Sequence, residues 1–80
     1  MRVLVAVPVF NEAKYVAGVV REIQRYAADV LVVDDGSTDQ TPEIIRQLGG
    51  IMSIRHAENR GYGQSLIDSF AYADCHGYDW

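Results

Sequence analysis

The sequence predicts an α/β fold: a three-stranded parallel sheet in the order 3-2-1, with helices on both faces. Three observations predict it. Residues 30–33 are four consecutive apolar, mostly β-branched residues, the pattern of a strand buried on both faces as in a parallel sheet. Strand-like runs alternate with segments whose apolar residues recur at helical spacing, and the alternation occurs three times. Each run leads directly into a stretch rich in Gly, Asn, Asp or Ser, at the carboxyl end of a strand, where open α/β sheets bind ligands.

Bulk properties narrow the class. The chain has 80 residues, enough for one small domain, residues 1–80. A chain of this size buries only roughly 60% of its unfolded surface, so marginal stability is expected. Apolar residues make up 49% of it, which argues for a core and against disorder. A net charge of −4 favours neither nucleic acid nor an anionic membrane surface. The single cysteine, Cys75, has no intrachain partner for a disulfide. No apolar stretch reaches the ~20 residues of a membrane span, and the N-terminus lacks a signal-peptide layout. A cytoplasmic location is expected.

The first strand is residues 2–9. Pro8 lacks an amide hydrogen and belongs on an edge or where ladder pairing ends. Asn11 is a good N-cap, and Glu12 suits the positive start of a helix. That helix carries Val16, Val19, Val20, Ile23 and Ala27 on one apolar stripe. The second strand is residues 30–34. A second helix starts near 39–41 with Pro42 in its first turn, buries Ile44, Ile45 and Leu48, and ends at Gly49 and Gly50. Residues 51–56 form a weaker third strand with Ile54 as its core residue. A loop with two glycines, residues 57–63, opens a third helix whose apolar residues Leu66, Ile67, Phe70 and Ala73 stand at helical spacing and which Gly77 ends. Tyr78, Asp79 and Trp80 read as the approach to a fourth strand. Right-handed crossovers then make the strands parallel. A fourth strand would pair beside strand 1, so strand 1 is expected to be an exposed edge through which the chain self-associates.

Three stretches therefore share one rim: residues 8–12, 34–37 and 59–63. Their convergence argues for a ligand site more strongly than any motif alone. Phe10 could stack on a base, or simply pack in the core. Glu12 could bond ribose hydroxyls, or only complement a helix start. Asp34 and Asp35 could accept a ring N–H of uracil or guanine in a charge-assisted bond. Alternating strand residues point to opposite faces, so both acids cannot meet one ligand unless the turn has begun. Arg60 and the backbone amides near Gly61 and Gly63 could face phosphates. The dinucleotide fingerprint is excluded, since Gly61-x-Gly63 lacks the third glycine and follows the wrong strand. His56 and His76 have no metal-ligand spacing with each other or with Cys75, and read as structural or exposed. Tyr62, Tyr72 and Tyr78 read as packing residues with a wet tip.

The set V-P-V-F-N-E, V-V-D-D-G-S-T-D-Q-T and N-R-G-Y-G-Q-S resembles the N-terminal part of family 2 glycosyltransferases with the GT-A fold, over essentially the whole chain. It looks most like the branch similar to dolichyl-phosphate mannose synthase and bacterial polyprenyl-phosphate sugar transferases. The resemblance implies that Pro8, Val9 and Phe10 line the nucleobase pocket and that Glu12 lies near the nucleoside. It implies that Asp35, with or without Asp34, binds the base, and that Arg60, Gly61 and Gly63 border the nucleotide. It implies a UDP- or GDP-hexose donor, Mg²⁺ or Mn²⁺, and transfer with inversion, with a polyprenyl phosphate as acceptor and the parent enzyme on the cytoplasmic face of a membrane.

The resemblance also implies a metal-binding Asp-x-Asp after a fourth strand. The sequence ends at Trp80, before such a strand. Asp74 and Asp79 fall in the third helix and the following turn and do not replace the motif. The chain is thus expected to be an incomplete, donor-nucleotide half with no catalytic residue or metal ligand of its own, and inactive in isolation. Two other readings stay open. One is a non-catalytic nucleotide-binding or assembly module. The other is a phospho-acceptor receiver domain, disfavoured because its acid pair follows the first strand whereas this one follows the second.

Overall fold

The structure, a computed structural model, describes residues 4–77, with Tyr62 described by its backbone only. The Tyr62 ring, Tyr78, and the expected approach to a fourth strand at 78–80 lie outside the described residues, as do Arg2 and Val3 at the start of the first strand. The elements are β1 (Leu4–Val9), α1 (Val16–Gln24), β2 (Asp29–Asp35), α2 (Thr41–Gln47), β3 (Met52–His56) and α3 (Tyr62–Cys75). The sheet order is β1-β2-β3, and both pairings are parallel. This is the expected order, read from its other edge.

The apolar run at the centre makes β2 the middle strand. Val30, Leu31, Val32 and Val33 are fully buried, because alternation sends two side chains to each face and helices cover both. On one face Val30 and Val32 join Val9, Val16, Val20 and Ile45 in the core beneath α1 and α2. On the other, α3 packs across β1 and β2. Pro8 falls opposite Val33 near the end of β1, on an edge strand of the described sheet, where its missing amide hydrogen is tolerated. Ile54 is only half-buried, because β3 is also an edge among the described strands.

Three local expectations differ, the smallest being Val19, expected on the apolar stripe of α1 but 45% exposed while Val16 and Val20 are buried. The α1 helix begins at Val16, and Asn11 does not cap it; Glu12 instead offers its carbonyl to the amides of Tyr15 and Val16 through an intervening turn. Helix α3 turns Ser65, Ser69 and Ala73 toward the sheet and leaves Leu66, Ile67 and Phe70 exposed. Small residues let α3 lie close to the sheet. The serine hydroxyls are satisfied within the helix, Ser69 Oγ donating to the Ser65 carbonyl at 2.7 Å and Ser65 Oγ to that of Gly61 at 3.5 Å.

Candidate functional site

β2 runs through Asp35, so the acid pair is still strand and its two side chains leave on opposite faces. The chain then turns at Gly36. Its φ of +75° suits glycine, and a Cβ there would stand 2.3 Å from the backbone of Glu58 and Asn59. The β2–α2 turn and the β3–α3 loop therefore touch backbone to backbone, which only glycine permits.

Asp35 is 5% exposed and holds that loop in place. Its Oδ1 accepts the Arg60 amide at 2.8 Å and its Oδ2 the Gly61 amide at 2.9 Å. Asn59 Oδ1 shares the Gly61 amide at 3.0 Å. Gly61 sits at φ +88° as the N-cap of α3, so this carboxylate also sets where the helix starts. Oδ1 further meets His56 Nδ1 at 2.7 Å, and His56 Nε2 contacts Asp68 Oδ2 on α3. The second oxygen of Asp68 accepts Gln64 Nε2 at 3.0 Å. Carboxylates only accept, so an imidazole facing one on each nitrogen is satisfied as the imidazolium. The hydrogen bond from His56, then the amide of Arg60, hold the Asp35 carboxyl below its ordinary value. Asp35 and then Asp68 hold His56 above its own, against its burial.

The β1–α1 loop is laced to the same β2–α2 turn. The Asn11 amide donates to Ser37 Oγ at 2.9 Å, and the Thr38 amide donates to Asn11 Oδ1 at 2.8 Å. Asp39 accepts the Ala13 amide at 3.3 Å and the Thr41 amide at 2.8 Å. Asn11 adopts φ +52°, a conformation that Asn tolerates better than most residues. This cross-loop tie takes the place of the expected N-cap.

Asp34 serves the opposite face. It is 2% exposed, its Oδ1 accepts the Ser37 amide at 3.1 Å, and its Oδ2 lies 3.8 Å from Arg55 Nε. It lines a cavity of about 180 Å³ with Pro42, Ile45, Ser53 and Arg55, between α2 and β3.

The structure thus brings Asp35, Arg60 and Gly61 together and does not bring Asp34 to them. Val9 is buried in the core beneath α1, while Pro8, Phe10, Glu12, Arg60 and Gly63 are exposed. Sequence reasoning missed Asp68, and it missed the lacing by Asn11, Ser37 and Asp39. One signal for Asp68 was present: Ser65, Asp68, Ser69 and Tyr72 stand at i, i+3, i+4 and i+7, a polar stripe competing with the apolar one. His76, read as structural or exposed, is exposed and stacks on Tyr72.

This arrangement, a βαβαβα unit with an ionised acceptor and a helix start on its carboxyl rim, agrees with a sequence comparison. The model of glycosyl transferase family 2 matches residues 4–76. The chain belongs to glycosyl transferase family 2. Among similar proteins is an uncharacterized protein of Methanocaldococcus jannaschii, 38% identical over 65 residues, covering 80% of this chain and 26% of the relative. The UDP-N-acetylglucosamine–dolichyl-phosphate N-acetylglucosaminyltransferase of Methanococcus voltae is 30% identical over 78 residues, 76% of this chain and 31% of the relative. The chondroitin synthase of Escherichia coli is 29% identical over 66 residues, 78% of this chain and 10% of the relative. The chain therefore spans less than a third of the length of these relatives. No solved structure matches it.

Family 2 enzymes usually use a divalent metal. Among the described residues no group of three or more His, Cys, Asp or Glu side chains could hold one. No helix among them is long and apolar enough to cross a membrane.

Proposed function

We propose that the rim of this glycosyl transferase family 2 chain is the nucleotide part of a sugar-donor site, that Asp35 accepts the ring N–H of the base, and that the base is uracil. The observation that carries this is the state of Asp35. It is held ionised and fixed in place by His56 and two backbone amides. A carboxylate has about four lone-pair sites, and three are taken, which leaves about one, on Oδ2. Uracil presents a single ring N–H between two carbonyls. Guanine presents an N–H beside an amino group and calls for two acceptors. The Methanococcus voltae relative, named for a UDP sugar, supports the same choice.

Around that anchor, Phe10 stacks on the base beside Pro8, while Val9, buried in the core beneath α1, takes no part in the pocket. Glu12 bonds the ribose, and the Arg60 side chain with the Gly63 amide in the first turn of α3 takes the diphosphate, the Arg60 and Gly61 amides being held by Asp35. Asp34 braces the turn through Ser37. The whole protein then transfers a hexosyl group with inversion to a polyprenyl phosphate, a reading supported by the named acceptor of the same relative. The outer edge of β1 is proposed to add a strand from a second copy, since its outer backbone groups have no ladder partner among the described residues.

Calorimetric titration of the chain with UDP and GDP tests this. UDP is expected to bind more tightly, and Asp35→Ala to weaken it. Equal affinities would overturn the choice of base, and an Asp35→Ala chain that folds and binds UDP as before would remove Asp35 from the site.

A further inference from the structure

The site contains one buried group that the donor-site reading leaves without a task. His56 ends β3, is 6% exposed, and is assigned no contact of its own with base, ribose or phosphate. Its ring instead joins two elements that the backbone ladder does not connect. On one side is Asp35 of β2, whose carboxylate carries the Arg60 and Gly61 amides. On the other is Asp68 of α3, braced by Gln64. The charged groups facing it are therefore Asp35 from β2 and Asp68 from α3, and Arg60 from the connecting loop acts on Asp68. Two carboxylates and one imidazolium leave a single net negative charge, which Arg60 offsets.

This balance has a consequence for Asp35. Loss of the His56 proton leaves one ring nitrogen without a hydrogen, facing a carboxylate oxygen across a hydrogen-bond distance. Lone pair then opposes lone pair, and either Asp35 or Asp68 must turn away. If Asp35 turns, its Oδ2 leaves the Gly61 amide and the lone pair assigned to the base is misdirected. If Asp68 turns, α3 loses its tie to β3 and the helix start at Gly61 is free to shift. Either way the ring sets the geometry that a nucleotide meets, without touching it.

We propose that His56 is a positioning residue of the nucleotide site: as an imidazolium bridging Asp35 and Asp68, it holds the Asp35 carboxylate and the start of α3 in the geometry that binds the base. The proposal rests on Asp35 as the base acceptor, and it goes further by making nucleotide affinity depend on the charge of a residue that touches no ligand. A purely structural histidine would change stability and leave the affinity of the folded fraction unaltered.

The test follows UDP affinity of the 80-residue chain by calorimetry between about pH 6 and 9, with imidazole proton resonances read in parallel to locate the His56 titration. Affinity is expected to fall roughly tenfold across that titration, the scale of one well-aligned charge-assisted bond, with the same midpoint. His56→Asn keeps a donor toward Asp35 but cannot titrate, so its affinity should show no such step. Asp68→Asn, which weakens the clamp from the far side, should move the step to lower pH, and it serves if His56→Asn does not fold. A wild-type affinity that ignores the His56 titration, or a step that persists in His56→Asn, overturns the proposal while leaving the donor site standing. Failure of UDP to bind at any pH, or affinity unaffected by Asp35→Ala, overturns the donor-site reading and this inference with it.

Discussion

Asp35 and His56, the last residues of β2 and β3, are register partners in adjacent parallel strands and are joined again through their side chains, Oδ1 to Nδ1 at 2.7 Å. The backbone ladder and the side-chain bond meet where two rim loops leave the sheet. What happens at Asp35 is therefore felt in the β3–α3 loop and at the start of α3.

A solvated loop carboxylate could be removed at little cost to the fold. In the structure Asp35 is buried and satisfies two backbone amides and an imidazolium. Asp35→Ala is thus expected to lower the urea midpoint of unfolding as well as to weaken UDP binding, by roughly tenfold or more in affinity. Parallel denaturation and calorimetry check both, and an unchanged midpoint would mean that the loop is held by other contacts.

Stability should depend on pH at both ends. Folding raises His56 above the ordinary imidazole value of 6.5, so its contribution is complete below pH 6.5 and is lost as pH rises through the higher folded value. Folding lowers Asp35 and Asp68 below 3.8, so theirs is complete above pH 3.8 and is lost as pH falls through the lower folded values. Urea denaturation at a series of pH values is expected to show greatest stability between pH 3.8 and 6.5 from this cluster. His56→Gln should abolish the fall on the alkaline side.

Gly36→Ala combines a left-handed backbone with a Cβ 2.3 Å from the Glu58 and Asn59 backbone. It should destabilise the chain by at least ~2 kcal/mol, since neither neighbour is a side-chain tip that can move aside. Gly63→Ala is the control. A Cβ there meets nothing within 4 Å and falls in the first turn of α3, so stability should be equal or slightly higher. Thermal unfolding of the two variants checks the contrast.

Asn11 ties the first two rim loops and occupies φ +52°. Asn11→Ala should cost about 1–2 kcal/mol, part from the strained backbone and part from the lost acceptor for the Thr38 amide. Asn11→Gly relieves only the strain and should recover part of that loss. Chemical denaturation of the pair separates the two terms, and equal losses would assign the whole effect to the hydrogen bond.

The sheet and the placement of the rim were legible because they follow from short-range pattern. Four consecutive apolar residues in β2 and a glycine or amide-rich stretch after each strand leave few alternatives once crossovers are right-handed. The opposite facing of Asp34 and Asp35 was legible for the same reason, since alternation needs no tertiary knowledge. Asn11 was misread because its partners Ser37 and Thr38 lie 26 and 27 residues away and outbid the local capping geometry. The rotation of α3 was misread because Leu66, Ile67 and Phe70 suggest one buried face and Ser65, Asp68 and Ser69 another. The ion pair of Asp68 with buried His56 goes with the second, and the small serines and Ala73 allow close approach to the sheet. Asp68 itself could not be identified until that rotation was known.

Whether a uridine nucleotide is held at the carboxyl rim by Asp35 is read most directly from backbone amide shifts of the ¹⁵N-labelled chain on titration with UDP in the presence of EDTA. Shifts are expected to concentrate in residues 9–12, 35–38 and 59–64 and to saturate together. Little change is expected at 26–29 and 47–51, the loops at the opposite edge of the sheet. Shifts centred on the cavity between α2 and β3, or none at UDP concentrations that saturate a millimolar site, would contradict binding at that rim.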